Sequence, residues 1–231
     1  MRYEGVVFDL DHTLFDRYAT LKALSADFCE MFKDCIAPET TAEMMGEQLC
    51  DSDRKHIYYG WSRVFADLCE KGVFCTAPTY ERYREALLTL FQKYAVPFSF
   101  TYSVLDELRS RGLKLGLITN GNGQIQARKL ELLKLTDAFD YALLCGKFGV
   151  QKPDRAPFDH MVEVLGIPAE KLLFVGDNPV CDVDASRNAG YTPVEILTTD
   201  CKMPEIDSAK LQLKTVKELP ALIDLLQKSP V

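Results

Sequence analysis

Residues 5–13 read GVVFDLDHT. Val6, Val7, Phe8 and Leu10 make a short apolar run rich in β-branched side chains, the composition of a strand buried on both faces. The run ends on two acids, Asp9 and Asp11, with a single leucine between them. A carboxylate at the end of a buried strand is costly without a partner. A cation is one such partner, and magnesium prefers carboxylate and carbonyl oxygens together with water. A carboxylate held beside that ion can attack phosphorus, and a second one two residues on can give and take the proton. One acid here could cap a helix; two flanking a leucine after Val-Val-Phe point to a site.

Outward from this stretch the pattern recurs. Residues 114–119 (KLGLIT), 141–145, 172–175 and, more weakly, 193–197 read as strands. Between them, helical spacing covers 104–111 before Gly112, 124–135, 155–165 before Gly166, and 216–227 with Pro220 in its first turn. Alternating strands and helices predict an α/β fold, a parallel sheet covered on both faces. Residues 17–96 break the alternation and read as four helices. In the third, Trp61, Val64, Phe65, Leu68 and Cys69 share a helical stripe; in the fourth, Tyr80, Tyr83, Leu87, Leu90, Phe91 and Tyr94 do so, with Pro78 as an early residue. The expected organisation is a catalytic core of residues 1–16 and 97–231, interrupted by a helical domain of residues 17–96.

The chain has 231 residues. At this size about 65–75% of the unfolded surface can be buried, so folding needs no disulfide or structural metal. The net charge of −7, with no basic run, argues against a nucleic-acid polymer as partner. It leaves room for a small phosphorylated substrate in a locally positive pocket. The opening residues lack the apolar core of a signal peptide, and no stretch approaches the roughly 18 uncharged apolar residues of a membrane span. The eight cysteines form no CxxC pair and no zinc-ligand spacing. They read as small buried apolar side chains in a reducing compartment. The expectation is a cytoplasmic protein with no membrane partner, acting as a monomer or homodimer.

Three further polar clusters follow predicted strands, and in a doubly wound sheet those strand ends converge on one crevice. Thr119-Asn120-Gly121-Asn122-Gly123 offers a hydroxyl and flexible backbone amides suited to phosphate oxygens, although Asn-Gly is also an ordinary turn. Lys152, in Lys-Pro-Asp, can neutralise a transferring phosphoryl group and a nearby carboxylate. In Gly176–Asp182 two acids lie five apart; Asp177 can complete a metal site, whereas a helix-capping role suits Asp182 better. Together these are the parts of phosphoryl transfer through a carboxyl-phosphate.

On these residues the chain resembles the haloacid dehalogenase superfamily over nearly its whole length. FDLDHTLFD (8–16), LITNG (117–121), VQKPD (150–154) and GDNPVCDVDASRNAG (176–190) look like its four motifs. The resemblance implies a Rossmann-like three-layer core with a parallel sheet, plus a small all-helical cap domain inserted after the first motif. It implies Asp9 as nucleophile and Asp11 as general acid and base. Thr119 and Lys152 would bind the phosphoryl group, with Asn120 and Gly121 lining the phosphate pocket. Mg2+ would be held by the Asp9 side chain, the Asp11 backbone carbonyl and Asp177, with Asp182 behind it or at its weaker edge.

The implied activity is hydrolysis of a small phosphorylated metabolite, a nucleoside monophosphate or a sugar phosphate, through a phospho-aspartyl intermediate. The dehalogenases proper need no metal and lack an acid at the position of Asp11, which ranks 2-haloacid dehalogenation below phosphatase. A phosphomutase or phosphotransferase keeps both aspartates and stands second. A non-catalytic binding protein stands last, because every catalytic position is filled.

In the helical insertion, Arg17 is a candidate substrate contact facing the cleft where cap meets core. His56, with Arg54, Lys55, Tyr58, Tyr59 and Trp61, forms a basic-aromatic patch able to stack a base or grip a second anionic group. A solvated start to an amphipathic helix is the favoured reading of that patch. His12, Cys181 and His160 are read as packing or surface residues.

Overall fold

The computed structural model describes residues 2–197 and 211–228. Six parallel strands form one sheet, β1 (Gly5–Phe8), β2 (Lys114–Thr119), β3 (Tyr141–Leu144), β4 (Leu172–Gly176), β5 (Thr192–Ile196) and β6 (Leu211–Leu213), in the order β3-β2-β1-β4-β5-β6. The sequence reading had no counterpart to β6, a strand of three residues and too short to carry a periodic signal. The chain grows outward from β1 in both directions, so the order reverses there. Gly5 to Phe8 pair with Lys114 to Leu117 on one side and with Leu172 to Val175 on the other. The carboxyl ends of β1 and β4 therefore lie side by side at the point where this kind of sheet opens a crevice.

The chain forms two compact units, Arg17–Val96 and Met1–Asp16 with Pro97–Val231. The first contains α1 (Arg17–Met31), α2 (Ala42–Lys55), α3 (Trp61–Glu70) and α4 (Tyr80–Leu90). Thr41 starts α2 by accepting from the Met44 N–H, and Thr79 starts α4 by accepting from the Arg82 N–H. Pro78 therefore precedes the cap of α4 and is not one of its helical residues. Buried Phe28, Phe32, Met45, Leu68, Tyr83, Leu87 and Phe91 fill this unit. The rings of Phe28 and Phe32 lie 4.6 Å apart, and those of Phe65 and Tyr83 5.0 Å apart. Burying each of the larger apolar side chains contributes about 1.5–3 kcal/mol.

In the sheet unit, α5 (Thr101–Ser110), α6 (Gly123–Leu132), α7 (Cys145–Phe148), α8 (Ala156–Leu165), α9 (Ala185–Asn188) and α10 (Leu219–Lys228) follow. Val7, Ile118, Phe158, Met161, Phe174 and Tyr191 belong to one buried cluster. Phe158 lies 5.2 Å from Phe174 and 5.7 Å from Tyr191, ring to ring. The chain leaves β1 through a tight loop. Leu14 and Phe15 N–H groups both return to the Leu10 carbonyl, and Phe15 bridges to Asp11 and to Pro97. The segments that leave for the helical unit and return from it are thus stitched together next to the two acids of the first strand. No described helix is long and apolar enough to cross a membrane.

Candidate active site

Asp9 is the first residue past β1, and its N–H donates to the Val175 carbonyl at 2.8 Å, extending the pairing with β4 by one residue. Its Oδ1 accepts from Lys152 Nζ at 2.8 Å, and the same ammonium donates to Asp182 Oδ1 at 2.6 Å. Lys152 is 3% exposed, a buried counter-ion to both carboxylates. Asn120 holds it there. Asn120 Nδ2 donates to the Lys152 carbonyl at 2.7 Å, and the Lys152 N–H donates back to Asn120 Oδ1 at 2.9 Å. The Asn120 side chain, expected to line the phosphate pocket, is engaged by the lysine backbone at both ends and aims Lys152.

Asp182 is not a capping acid. It lies inside a wide helical turn, Pro179–Asp184, that leads directly into α9, and its carboxylate is buried on Lys152. Asn178 caps that turn, its Oδ1 accepting from the Val180 and Cys181 N–H groups at 3.0 and 2.9 Å. Asp182 Oδ2 accepts from the Asn178 N–H at 3.0 Å. The carboxylate lies against Gly176, where a Cβ would come within 2.6 Å of the Asp182 Cβ; only glycine allows that approach.

Carboxylate oxygens of Asp9, Asp177 and Asp182 lie within 4.8 Å of one another. All three acids are buried, and Lys152 pairs with Asp9 and Asp182. Burial, reinforced by Asp182 and Asp11 and opposed by Lys152, pushes the Asp9 carboxyl up to about 7. Asp177 is raised well above the carboxylate range by burial first, then by Asp182 and Asp9. Burial works against the Lys152 ammonium, but Asp182 and Asp9 outweigh it and hold the lysine charged. The cluster is thus short of positive charge and rich in hard oxygen donors, which fits an ion such as magnesium. Asp9 and Asp177 could hold it, and Asp182, expected behind the metal site, brings its carboxylate into the same cluster.

Asp11 turns elsewhere. Its Oδ1 accepts from Lys129 Nζ at 2.6 Å and its Oδ2 from Gln126 Nε2 at 2.9 Å. The same Gln126 nitrogen lies 2.6 Å from Thr119 Oγ1. Lys129 Nζ also sits over the Phe15 ring, 4.6 Å from its centroid. The sequence reading singled out neither Gln126 nor Lys129. A signal existed, because both fall in the buried stripe of α6 with Ile125 and Leu130, where solvated side chains are not expected. Gly121, with φ of 105°, makes the turn between Thr119 and the α6 cap, Asn122, whose side chain accepts from the Gln124 and Ile125 N–H groups.

Arg17 and His56 belong to networks inside the helical unit. Arg17 grips Asp53 through Nε and Nη2 at 2.8–3.1 Å and lies over the Phe91 ring. His56 Nε2 lies 3.4 Å from Asp67 Oδ1, beside Lys55 and Lys71 on the same carboxylate. His12 is buried in the loop after β1 with φ of 63°. Burial pushes the Cys181 thiol up to about 11, away from a reactive thiolate. His160 meets the Tyr141 hydroxyl at 3.1 Å and stacks on Phe148. Cys35, Cys50 and Cys145 are buried as expected of the cysteines, whereas Cys29, Cys69 and Cys181 are half-buried and Cys75 is exposed.

Residues 6–196 match the model of a family described as haloacid dehalogenase-like hydrolase. The chain belongs to that family. This haloacid dehalogenase-like hydrolase is 26% identical over 230 residues to the glyceraldehyde 3-phosphate phosphatase of Methanocaldococcus jannaschii, with 97% of each chain covered. It is 26% identical over 231 residues to the pyrimidine 5'-nucleotidase YjjG of Escherichia coli, covering 96% of this chain and 99% of that one. Its fold is shared with the L-2-haloacid dehalogenase of Xanthobacter autotrophicus at a TM-score of 0.67 and 19% identity, covering 96% of this chain and 98% of that one. That likeness concerns the Rossmann-like fold alone.

Proposed function

We propose that this hydrolase is a magnesium-dependent phosphomonoester phosphatase in which Asp9 is the nucleophile. The observation that carries the reading is the Asp9 carboxylate, bound by the buried Lys152 ammonium and clustered with Asp177 and Asp182 at the switch point of the sheet. The Asp9 and Asp177 side chains and the Asp11 backbone carbonyl would hold the ion, with the Asp182 carboxylate beside them, and the ion would supply positive charge to the phosphoryl oxygens. Lys152 and the Thr119 hydroxyl bind the phosphoryl group. An Asp9 oxygen forms a bond to phosphorus as the ester P–O bond breaks, and the electron pair goes to the leaving oxygen. Asp11 delivers a proton to that oxygen. Water then attacks phosphorus, Asp11 takes its proton, and the bond to Asp9 breaks to release phosphate.

The presence of Asp11 favours this chemistry over dehalogenation, in which no alcohol leaving group needs a proton. The substrate class is a small phosphorylated metabolite, a sugar phosphate or nucleoside monophosphate; the two relatives above are named for a triose phosphate and for pyrimidine nucleotides. We place the protein in the cytoplasm, where the free thiols of its described cysteines are maintained.

The test is phosphate release from a panel of nucleotides, sugar phosphates and an aryl phosphate, with magnesium and with excess chelator. Magnesium-dependent release is expected, and Asp9→Asn lowers it by about a thousandfold or more without loss of fold. Folded wild-type protein that releases no phosphate from any compound, or Asp9→Asn that stays active, overturns the reading.

A further inference from the structure

We propose that Gln126 and Lys129 are positioning residues of this reaction. Together they aim the Asp11 carboxylate, and the Gln126 amide fixes the Thr119 hydroxyl as a donor toward the phosphoryl group. The inference rests on the phosphatase reading above.

The polarity of the hydrogen bonds follows from chemistry. A carboxylate oxygen 2.9 Å away must be met by a donor, so the amide nitrogen of Gln126 faces Asp11. That nitrogen also lies 2.6 Å from Thr119 Oγ1. Its two hydrogens are then spent on Asp11 and on Thr119, and the hydroxyl accepts there. The threonine's own hydrogen goes to the Asn120 carbonyl at 3.4 Å, long for an O–H···O bond. Such a hydrogen turns to a phosphoryl oxygen at little cost. One amide thus connects the group that binds phosphate to the group that moves the proton.

Lys129 completes the arrangement. It is 4% exposed, and Gln126 is 3% exposed. Seating a buried ammonium against Phe15 and the Asp11 carboxylate is a poor way to hold a helix, because an apolar side chain of similar length packs there without a desolvation cost. The ion pair does what an apolar side chain cannot: it fixes the direction of Asp11 Oδ1. The two contacts also separate in their consequences. Lys129 acts on the leaving group through Asp11, and Gln126 acts additionally on binding through Thr119.

The experiment measures kcat and KM on two substrates. One is the alkyl phosphomonoester of the panel that the wild type turns over fastest. The other is p-nitrophenyl phosphate, whose leaving group departs without a proton. Lys129→Met is expected to lower kcat on the alkyl ester at least about tenfold more than on the aryl ester. In Lys129→Met combined with Asp11→Asn, that selectivity equals that of Asp11→Asn alone, as two residues acting in one unit require. Gln126→Leu is expected to raise KM on both esters by about fivefold.

Equal losses on the two esters, or a Lys129→Met loss that adds fully to that of Asp11→Asn, overturns the inference. Should Lys129→Met fail to fold, Gln126→Glu occupies the same bridge with the same shape and must show the alkyl-selective loss. A wild type that hydrolyses no ester overturns the phosphatase reading itself. A wild type that hydrolyses both, with Lys129→Met losing kcat equally on both or Gln126→Leu leaving KM unchanged on both, overturns this inference alone.

Discussion

Lys152 is the residue on which the electrostatics of the site turn. Its ammonium is the counter-ion that Asp9 and Asp182 share, and methionine would fill the same space without the charge. Breaking a buried ion pair by removing one partner costs about 3–5 kcal/mol, because the other is left uncompensated. Lys152→Met is therefore expected to lose about that much stability in urea unfolding at pH 8 with chelator. The loss should shrink at pH 5.5, where the raised carboxyls take up protons, and on adding magnesium. A loss independent of both would place the lysine's contribution in packing and not in charge. Asp9, Asp11, Lys152 and Asp177 were legible in the sequence because each stands at or beyond the end of an apolar run, where the cost of burying charge demands a reason. From its own neighbours Asp182 reads as a cap, because they do not show that Asn178 already fills that role; only the family resemblance set it beside the metal site. Gln126 and Lys129 were missed because a polar residue on a helix reads as solvated until its neighbours in the stripe are seen to be buried.

Among the elements, β1, β2 and β4 were legible from composition alone, since a strand buried on both faces has no choice but to be apolar, whereas the partly exposed β3 and β5 carry a weaker signal. β6 has three residues and offers too little to read. Helix boundaries were less legible because single side chains decide them. Asn122 begins α6, and a 3-10 turn at Val216–Glu218 delays α10 until Leu219. In the helical unit the deciding feature is a buried acid that apolar periodicity does not register. Asp67, on α3, accepts from Ser52 Oγ at 2.7 Å and pairs with Lys71 at 2.8 Å and with Lys55. Burial pushes its carboxyl up, but hydrogen bonds from Lys55, Lys71, Ser52 and His56 outweigh this and hold it well below the usual range. A carboxyl lowered on folding adds stability above its unfolded value, about 3.9, and loses it as pH falls through the folded one. Asp67→Asn is therefore expected to cost about 1.5–3 kcal/mol at pH 7, with the difference from wild type shrinking below pH 4. Urea titrations at pH 7 and pH 3 measure both values, and an equal difference at the two would mean that Asp67 contributes shape and not charge.

At the scale of the whole molecule, a chain of net charge −7 gathers three buried acids at the switch point of its sheet, and folding without a metal must bear their repulsion. The sign of the pH dependence follows. Asp9 is raised on folding to about 7, and Asp177 moves in the same direction. A carboxyl raised on folding gives its full contribution below its unfolded value, about 3.9, and loses it as pH rises through the folded one. Metal-free protein is thus less stable at pH 8 than at pH 5.5 as far as these groups decide. Magnesium requires the acids ionised, so its binding expels the protons that the apo site retains, and its affinity rises with pH. An ion at a hundred times its Kd adds about 2.7 kcal/mol, which for a chain of this size is a rise in Tm of about 5–10 °C. Thermal melts with magnesium and with chelator should show that gain at pH 8, and a clearly smaller one at pH 5.5. Asp177→Asn should remove most of it at both. Equal gains at the two pH values would mean that the ion binds where these carboxyls do not. No gain at either would mean that no ion joins Lys152 in balancing these acids, and the reading of this cluster as a magnesium site would fail.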